Sequence, residues 1–280
     1  MKPSINKERA AKFLALHLNP PILRLANAWD VTSAKIFELA NFEAIGTTSS
    51  GIAHSWGYPD GEVISLAELL MVVRRIAGNI SVPLSVDLEA GYGSSPEEAA
   101  RSVEQIIDAG AVGINLEDVE RAGDQSLVEI SQQLEKISAI RQLADKKEFH
   151  LVINARTDIF LRSEDPKPKQ MEQVIERGNK FKEAGADCIF IVGTGGFSNA
   201  ELASLVNEIN APINLFVGPK HPPINQLEEM GVARLSFGGQ AMRSAYAKLA
   251  QIAKDMIETG DLSLLFEEAL SEQDLQNWFS

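Results

Sequence analysis

The fold this sequence predicts is a parallel (β/α)8 barrel of the TIM type, and three observations predict it. Short runs of Val, Ile, Leu and Phe alternate with helical periods along the whole chain, and near-continuous apolar runs mark strands buried on both faces. Helices end on glycine and lead straight into the next run. Examples are Asp108-Ala-Gly110-Ala-Val-Gly-Ile-Asn-Leu-Glu117, Glu183-Ala-Gly185-Ala-Asp-Cys-Ile-Phe-Ile-Val192 and Glu229-Met-Gly231-Val-Ala-Arg-Leu-Ser-Phe237; the left-handed turn just past a helix favours glycine. The units number about eight, the count of a TIM barrel. An open doubly wound sheet also alternates β and α, but the unit count favours the barrel.

In chain order the strands are expected near Leu23–Asn27, Ala44–Thr48, Leu84–Asp87, Val112–Glu117, Leu151–Ala155, Cys188–Val192, Ile213–Val217 and Arg234–Phe237. Helical periods fill the intervals, among them Ser65–Ala77, Pro96–Ala109 and Leu127–Leu143. The second of these opens on Ser95-Pro96-Glu97-Glu98: a hydroxyl cap, a proline in the first turn and acids at the positive dipole end. Residues 261–280 are amphipathic and lie beyond the eighth unit. The chain therefore reads as one barrel domain over 1–280, with 261–280 as a C-terminal helical tail.

Composition narrows the function classes. The 280 residues are 45% hydrophobic and 23% charged, with a net charge of −13 and no basic block, so nucleic acid is not an expected partner. No apolar run approaches the roughly 20 residues of a membrane span, and Met1–Arg9 lacks the apolar stretch of a secretory signal. The single cysteine, Cys188, allows no intrachain disulfide and fits a reducing cytoplasm. The four histidines, at 17, 54, 150 and 221, have no metal-ligand spacing. Gly193-Thr-Gly195-Gly196 has no P-loop lysine beside it.

Acidic strand ends carry the chemistry. Leu84-Ser-Val-Asp87-Leu-Glu89-Ala-Gly91-Tyr-Gly93 is followed by Val112-Gly-Ile-Asn-Leu-Glu117-Asp118. Strand side chains alternate, so Asp87 and Glu89 share a face, and a common mouth would gather Asp87, Glu89 and Glu117. Crowded like charges are costly unless a hard cation neutralises them, which points to a divalent metal, Mg²⁺ first and Mn²⁺ as its substitute. The Gly-Tyr-Gly turn permits close backbone approach. Asp60, in the Gly/Pro-bearing loop Ala53–Glu62, is a further candidate near the metal.

Asn154-Ala-Arg156-Thr-Asp158 ends the fifth strand, where the Arg156 fork suits a carboxylate or phosphoryl group; an ion pair with Glu117 would orient it. Thr47-Thr-Ser49-Ser50-Gly51-Ile ends the second strand, and its small residues would present N–H groups to an anion. Tyr92, or water on the metal, is the candidate base. In a TIM barrel all of these loops share one end.

These stretches together resemble the phosphoenolpyruvate mutase/isocitrate lyase superfamily. The matching segments are Asn27-Ala-Trp29-Asp30-Val-Thr-Ser33-Ala34, Gly57-Tyr-Pro-Asp60-Gly, Asp87-Leu-Glu89-Ala-Gly-Tyr-Gly93, Leu116-Glu117-Asp118, Asn154-Ala-Arg156-Thr-Asp158 and Arg234-Leu-Ser236-Phe-Gly-Gly. The resemblance implies Mg²⁺ at Asp87, with Glu89, Glu117 and Asp60 acting largely through water. It implies a 2-oxo acid or carboxylate adduct bound by metal, by second-strand amides at Ser49, Ser50 and Gly51, and by Arg156. It also implies C–C or P–C bond chemistry through a pyruvate enolate, and a homodimer or homotetramer in which the last helix is swapped onto a partner barrel.

The chain departs from the resemblance after the fourth strand. Val119-Glu-Arg121-Ala-Gly123-Asp-Gln-Ser lacks both the Lys-Lys/Arg-Cys-Gly-His loop of the isocitrate lyases and the Lys- and Asn-bearing gating loop of the phosphonopyruvate enzymes. A Lewis acid and an arginine suffice for decarboxylation, which removes no proton to break its bond. The expectation is accordingly a Mg²⁺-dependent lyase, oxaloacetate decarboxylase-like or cleaving C–C adducts. Phosphonopyruvate mutase or P–C hydrolase chemistry, and a non-catalytic metabolite-binding barrel, are the alternatives.

Overall fold

Eight parallel strands close into a barrel in sequence order in the computed structural model, which describes residues 3–120, 126–267 and 269–279. The strands are β1 (Leu23–Ala28), β2 (Ile45–Thr47), β3 (Leu84–Asp87), β4 (Gly113–Glu117), β5 (Val152–Thr157), β6 (Cys188–Ile191), β7 (Ile213–Phe216) and β8 (Arg234–Ser236). Each lies within two residues of its expected bounds at either end. The three glycines after helices do turn left-handed, with φ of 108° at Gly110, 116° at Gly185 and 89° at Gly231. The helix Pro96–Asp108 opens on Ser95, whose side chain accepts the Glu98 N–H at 3.2 Å.

The chain divides into two compact units, Met1–Gly238 and Gly239–Ser280. The first holds the barrel. The second consists of helices Gln240–Glu258, Ser263–Phe266 and Glu272–Trp278, and Leu249, Ile257 and Phe266 stand exposed in it. No helix among the described residues is long and apolar enough to cross a membrane.

Several residues of the matching segments have structural work. The Asn27 side chain donates to Thr47 O and accepts from the N–H groups of Phe237 and Gly238, each at 2.9 Å, so it ties the ends of β1, β2 and β8. Asp30 and Ser33 cap the helix Val31–Leu39 reciprocally. At Gly93 an added Cβ would lie 2.4 Å from Ala99 N, so the Gly-Tyr-Gly turn does seat the backbone against the next helix.

The sequence reading contained no element before β1, yet a helix spans Pro3–Leu18. Among its described side chains Ala10, Phe13 and His17 are buried, the i, i+3, i+7 spacing of a helical face. Phe13 plugs the barrel floor: a Cβ on Gly113 would lie 2.5 Å from its ring. His17 Nδ1 is 2.7 Å from Phe13 O. A carbonyl only accepts, so the proton sits on Nδ1, and the bare Nε2 faces Arg234 Nη1 at 3.4 Å.

Burial, and then the Arg234 charge, push His17 down to about 3 from its ordinary value near 6.5. The unfolded chain takes up this proton below about 6.5 and the folded chain only near 3, so His17 favours folding above 6.5 and progressively less as pH falls. The expected slope is up to about 1.4 kcal/mol of stability lost per pH unit across that window. Urea unfolding at stepped pH should show a shallower slope for His17→Gln than for wild type; equal slopes would refute the assignment.

Candidate active site

Glu117 and Arg156 are register partners on β4 and β5, so their side chains leave the strands toward the same side. Arg156 Nη1 donates to Glu117 Oε1 at 2.6 Å. Its Nε and Nη2 fork onto Asp158 Oδ1 and Oδ2 at 2.6 and 2.9 Å. Burial works against the guanidinium's charge, but Glu117 and Asp158 more than offset it and hold Arg156 firmly protonated. Three of its five N–H donors are thereby used, and two remain.

Behind this pair stands a second tier that the sequence reading did not pick out. Asp158 N–H donates to Asp118 Oδ1 at 2.9 Å, and Asp118 Oδ2 accepts from Arg177 Nη1 at 3.0 Å. Arg177 Nη2 also reaches Val128 O at 2.9 Å, which ties the loop after β4 to the base of Arg156. That loop begins as a hairpin neck, with Glu120 N–H on Ser126 O at 2.8 Å and a bridge between Val119 and Leu127. Residues 121–125, Arg121 included, lie outside the described residues. Asp158 was detectable by alternation from Arg156; Arg177, fifty-nine positions from Asp118, carries no sequence signal.

Asp87 ends β3. Its N–H donates to Thr47 Oγ1 at 2.8 Å, and its Oδ2 accepts from Ser49 N–H at 3.1 Å. Its Oδ1 is buried with no hydrogen-bond partner. Glu89 Oε2 accepts from Glu62 N–H at 2.7 Å, and Glu62 Oε1 in turn accepts from Tyr92 N–H at 2.9 Å. Glu62, Glu89 and Tyr92 all hold left-handed backbones, with φ of 56°, 49° and 52°. Such conformations cost on the order of 1 kcal/mol each, and these carboxylate–amide bonds over-determine them.

The carboxylates crowd one another. Burial, then the charges of Asp87, Asp60 and Glu117, push Glu89 up to about 9. Burial raises Glu117 too, against the pull of Arg156. Asp60 stands on the exposed rim, yet the protein around it and then the Asp87 charge raise its carboxyl, while Ser49 and Gly61 lower it. A bound cation would relieve all of them.

The expected trio does not converge as a direct cage. Among the described residues no three His, Cys, Asp or Glu side chains are arranged to hold an ion, because Glu89 is turned to an amide and Glu117 to Arg156. Asp87 Oδ1 offers a buried carboxylate oxygen that no protein donor shares. That donor set fits a hard cation keeping most of its waters, as Mg²⁺ does.

Other candidates fall elsewhere. Ser49 N–H is held by Asp87 and Gly51 N–H by the Thr48 cap at 3.4 Å, so these two amides of the turn are engaged within the protein. Residues Ser49–Ser55, including Ser50 and the start of the expected loop, are helical. Tyr92 is buried in the hydrophobic core and meets the site through its backbone. The Cys188 thiol is buried and pushed up to about 12 by that burial, which leaves it no nucleophile.

The sequence matches the phosphoenolpyruvate phosphomutase family over residues 13–257. A Mycobacterium tuberculosis protein of uncharacterized role is 34% identical over 214 residues, 76% of each chain. The 2-methylisocitrate lyase of Escherichia coli is 33% identical over 173 residues, 60% of this chain and 56% of that enzyme. The structure of phosphonopyruvate hydrolase in complex with oxalate and Mg²⁺ aligns with a TM-score of 0.84 at 23% identity, over 96% of this chain and 94% of that one.

Proposed function

Because this chain belongs to the phosphoenolpyruvate phosphomutase family, whose superfamily comprises lyases and mutases such as 2-methylisocitrate lyase, we propose that it is a Mg²⁺-dependent lyase. Its substrate on this reading is a small 2-oxo acid or a 2-hydroxy carboxylate adduct, cleaved through a pyruvate-type enolate. The observation that carries the reading is the unshared Asp87 Oδ1 in the same mouth as Arg156, whose fork is held by two carboxylates. A divalent cation at Asp87 would supply Lewis acidity toward substrate oxygens.

The chain's own residues do the rest. Arg156 turns its two remaining N–H groups to a substrate carboxylate or a developing enolate oxygen, where preorganised donors act without reorganisation. Glu117 and Asp158 orient it, and Asp118 with Arg177 fixes Asp158. Glu89 and Asp60 would hold a bound cation's water. Loss of CO₂ from an oxaloacetate-like acid needs no base, which suits a loop after β4 whose sequence has no cysteine, histidine or lysine. A homo-oligomer is supported by the exposed Leu249, Ile257 and Phe266, and a cytoplasmic setting by the single cysteine.

The test is pyruvate release from oxaloacetate with Mg²⁺ and with EDTA, the metal-accelerated background being subtracted at matched free Mg²⁺. Turnover that is metal-dependent and sharply reduced in Arg156→Lys is the expected result. No turnover above background would reject decarboxylation and direct the assay to phosphonopyruvate and larger C–C adducts.

A further inference from the structure

Arg234, at the start of β8, is fully buried in the barrel. Its Nε donates to Ser236 Oγ at 3.3 Å and its Nη2 to Asn115 Oδ1 at 3.2 Å, and Nη1 meets the bare His17 Nε2 at 3.4 Å. The Phe13 ring lies 5.9 Å from its Cζ. All of these partners are neutral, and no described carboxylate forms an ion pair with it. A buried charge without a counter-charge costs several kcal/mol, so the counter-charge must lie further off.

Register shows where. Asn115, which takes the Arg234 N–H, is the β4 partner of Asp87 on β3, so its side chain leaves the sheet on the same side as that carboxylate. Asn154 Nδ2 donates to the same Asn115 oxygen at 2.7 Å. This oxygen therefore faces two donors, which fixes the orientation of the Asn115 amide. Burial works against the Arg234 charge, and Cys188 and then Asp87 favour it.

We propose that Arg234 is a positioning residue that supplies the counter-charge of Asp87 from the barrel interior and thereby weakens the hold of that carboxylate on a divalent cation. The inference rests on the reading of Asp87 as the metal ligand. A cation arriving at Asp87 meets the fixed positive charge of Arg234 from within the barrel, through a medium that screens far less than water. The mouth, with its excess of carboxylates, is thus kept from gripping its metal too tightly.

The experiment is Mn²⁺ binding to the metal-free protein, read by electron paramagnetic resonance of the free ion, for wild type, Arg234→Gln, Arg234→Met and Arg234→Lys. Both neutral variants are expected to bind about tenfold more tightly, and Arg234→Lys to stay within about threefold of wild type. A purely structural role would loosen binding in the neutral variants, so the sign separates the two cases. Unchanged or weaker binding in neutral variants with a wild-type circular dichroism spectrum overturns the role of Arg234. Absence of saturable binding in wild type overturns instead the assignment of Asp87.

If the neutral variants do not fold, wild type labelled with ¹⁵N-arginine decides. Substoichiometric Mn²⁺ should broaden the Arg234 Nε–H resonance, and a resonance that stays sharp while Mn²⁺ is bound overturns the proposal.

Discussion

Arg156→Lys is expected to lower kcat by roughly two to three orders of magnitude, the range seen when one preorganised donor to a developing charge is lost. Lysine keeps the charge but not the fork. It cannot satisfy both oxygens of Asp158 and Oε1 of Glu117 while still presenting donors to a substrate. Alanine is the harsher change, because it leaves Glu117 and Asp158 buried without their partner, at about 3–5 kcal/mol of stability. Lysine is therefore the variant for kinetics and alanine for urea unfolding. Turnover within tenfold of wild type for Arg156→Lys would mean that the guanidinium serves the fold alone.

Asp87→Asn should weaken Mg²⁺ or Mn²⁺ binding by more than about a hundredfold, since even outer partners of metal ligands are worth ten- to a hundredfold. The isosteric amide can still accept the Ser49 N–H that Oδ2 accepts now, so the turn is preserved. Without metal two effects oppose each other in the variant: the Asp87 charge no longer raises Glu89, Glu117 and Asp60, while the buried Arg234 loses an opposing charge. Loss of metal affinity far larger than any change in stability is the signature of a functional carboxylate. Titration calorimetry and thermal unfolding measure the two halves, and tight binding in the variant would remove Asp87 from the metal.

What was legible in the sequence was whatever local chemistry decides. Apolar runs locate the eight strands because a strand buried on both faces must be apolar. Glycines at 110, 185 and 231 mark helix ends because only glycine turns left-handed cheaply there. The acidic strand ends and Asn154-Ala-Arg156-Thr-Asp158 were visible because side chains at strand ends share a mouth in this architecture. The Pro3–Leu18 helix had its signal in Ala10, Phe13 and His17, and only the barrel floor it fills makes that spacing meaningful.

The division of labour among the carboxylates was decided by tertiary structure alone. Asp87, Glu89 and Glu117 are alike as sequence symbols. They differ because an amide from Glu62 claims one oxygen of Glu89, Arg156 claims one of Glu117, and Asp87 keeps a buried oxygen that no donor reaches. The same holds for Asp118 with Arg177 and for Arg234 with His17, pairs 59 and 217 positions apart that only barrel closure brings within hydrogen-bond reach. Pattern and propensity act over a few residues, and so they specify elements. Partner choice among buried charges depends on distances and dielectric across the closed barrel, which no local stretch of chain encodes.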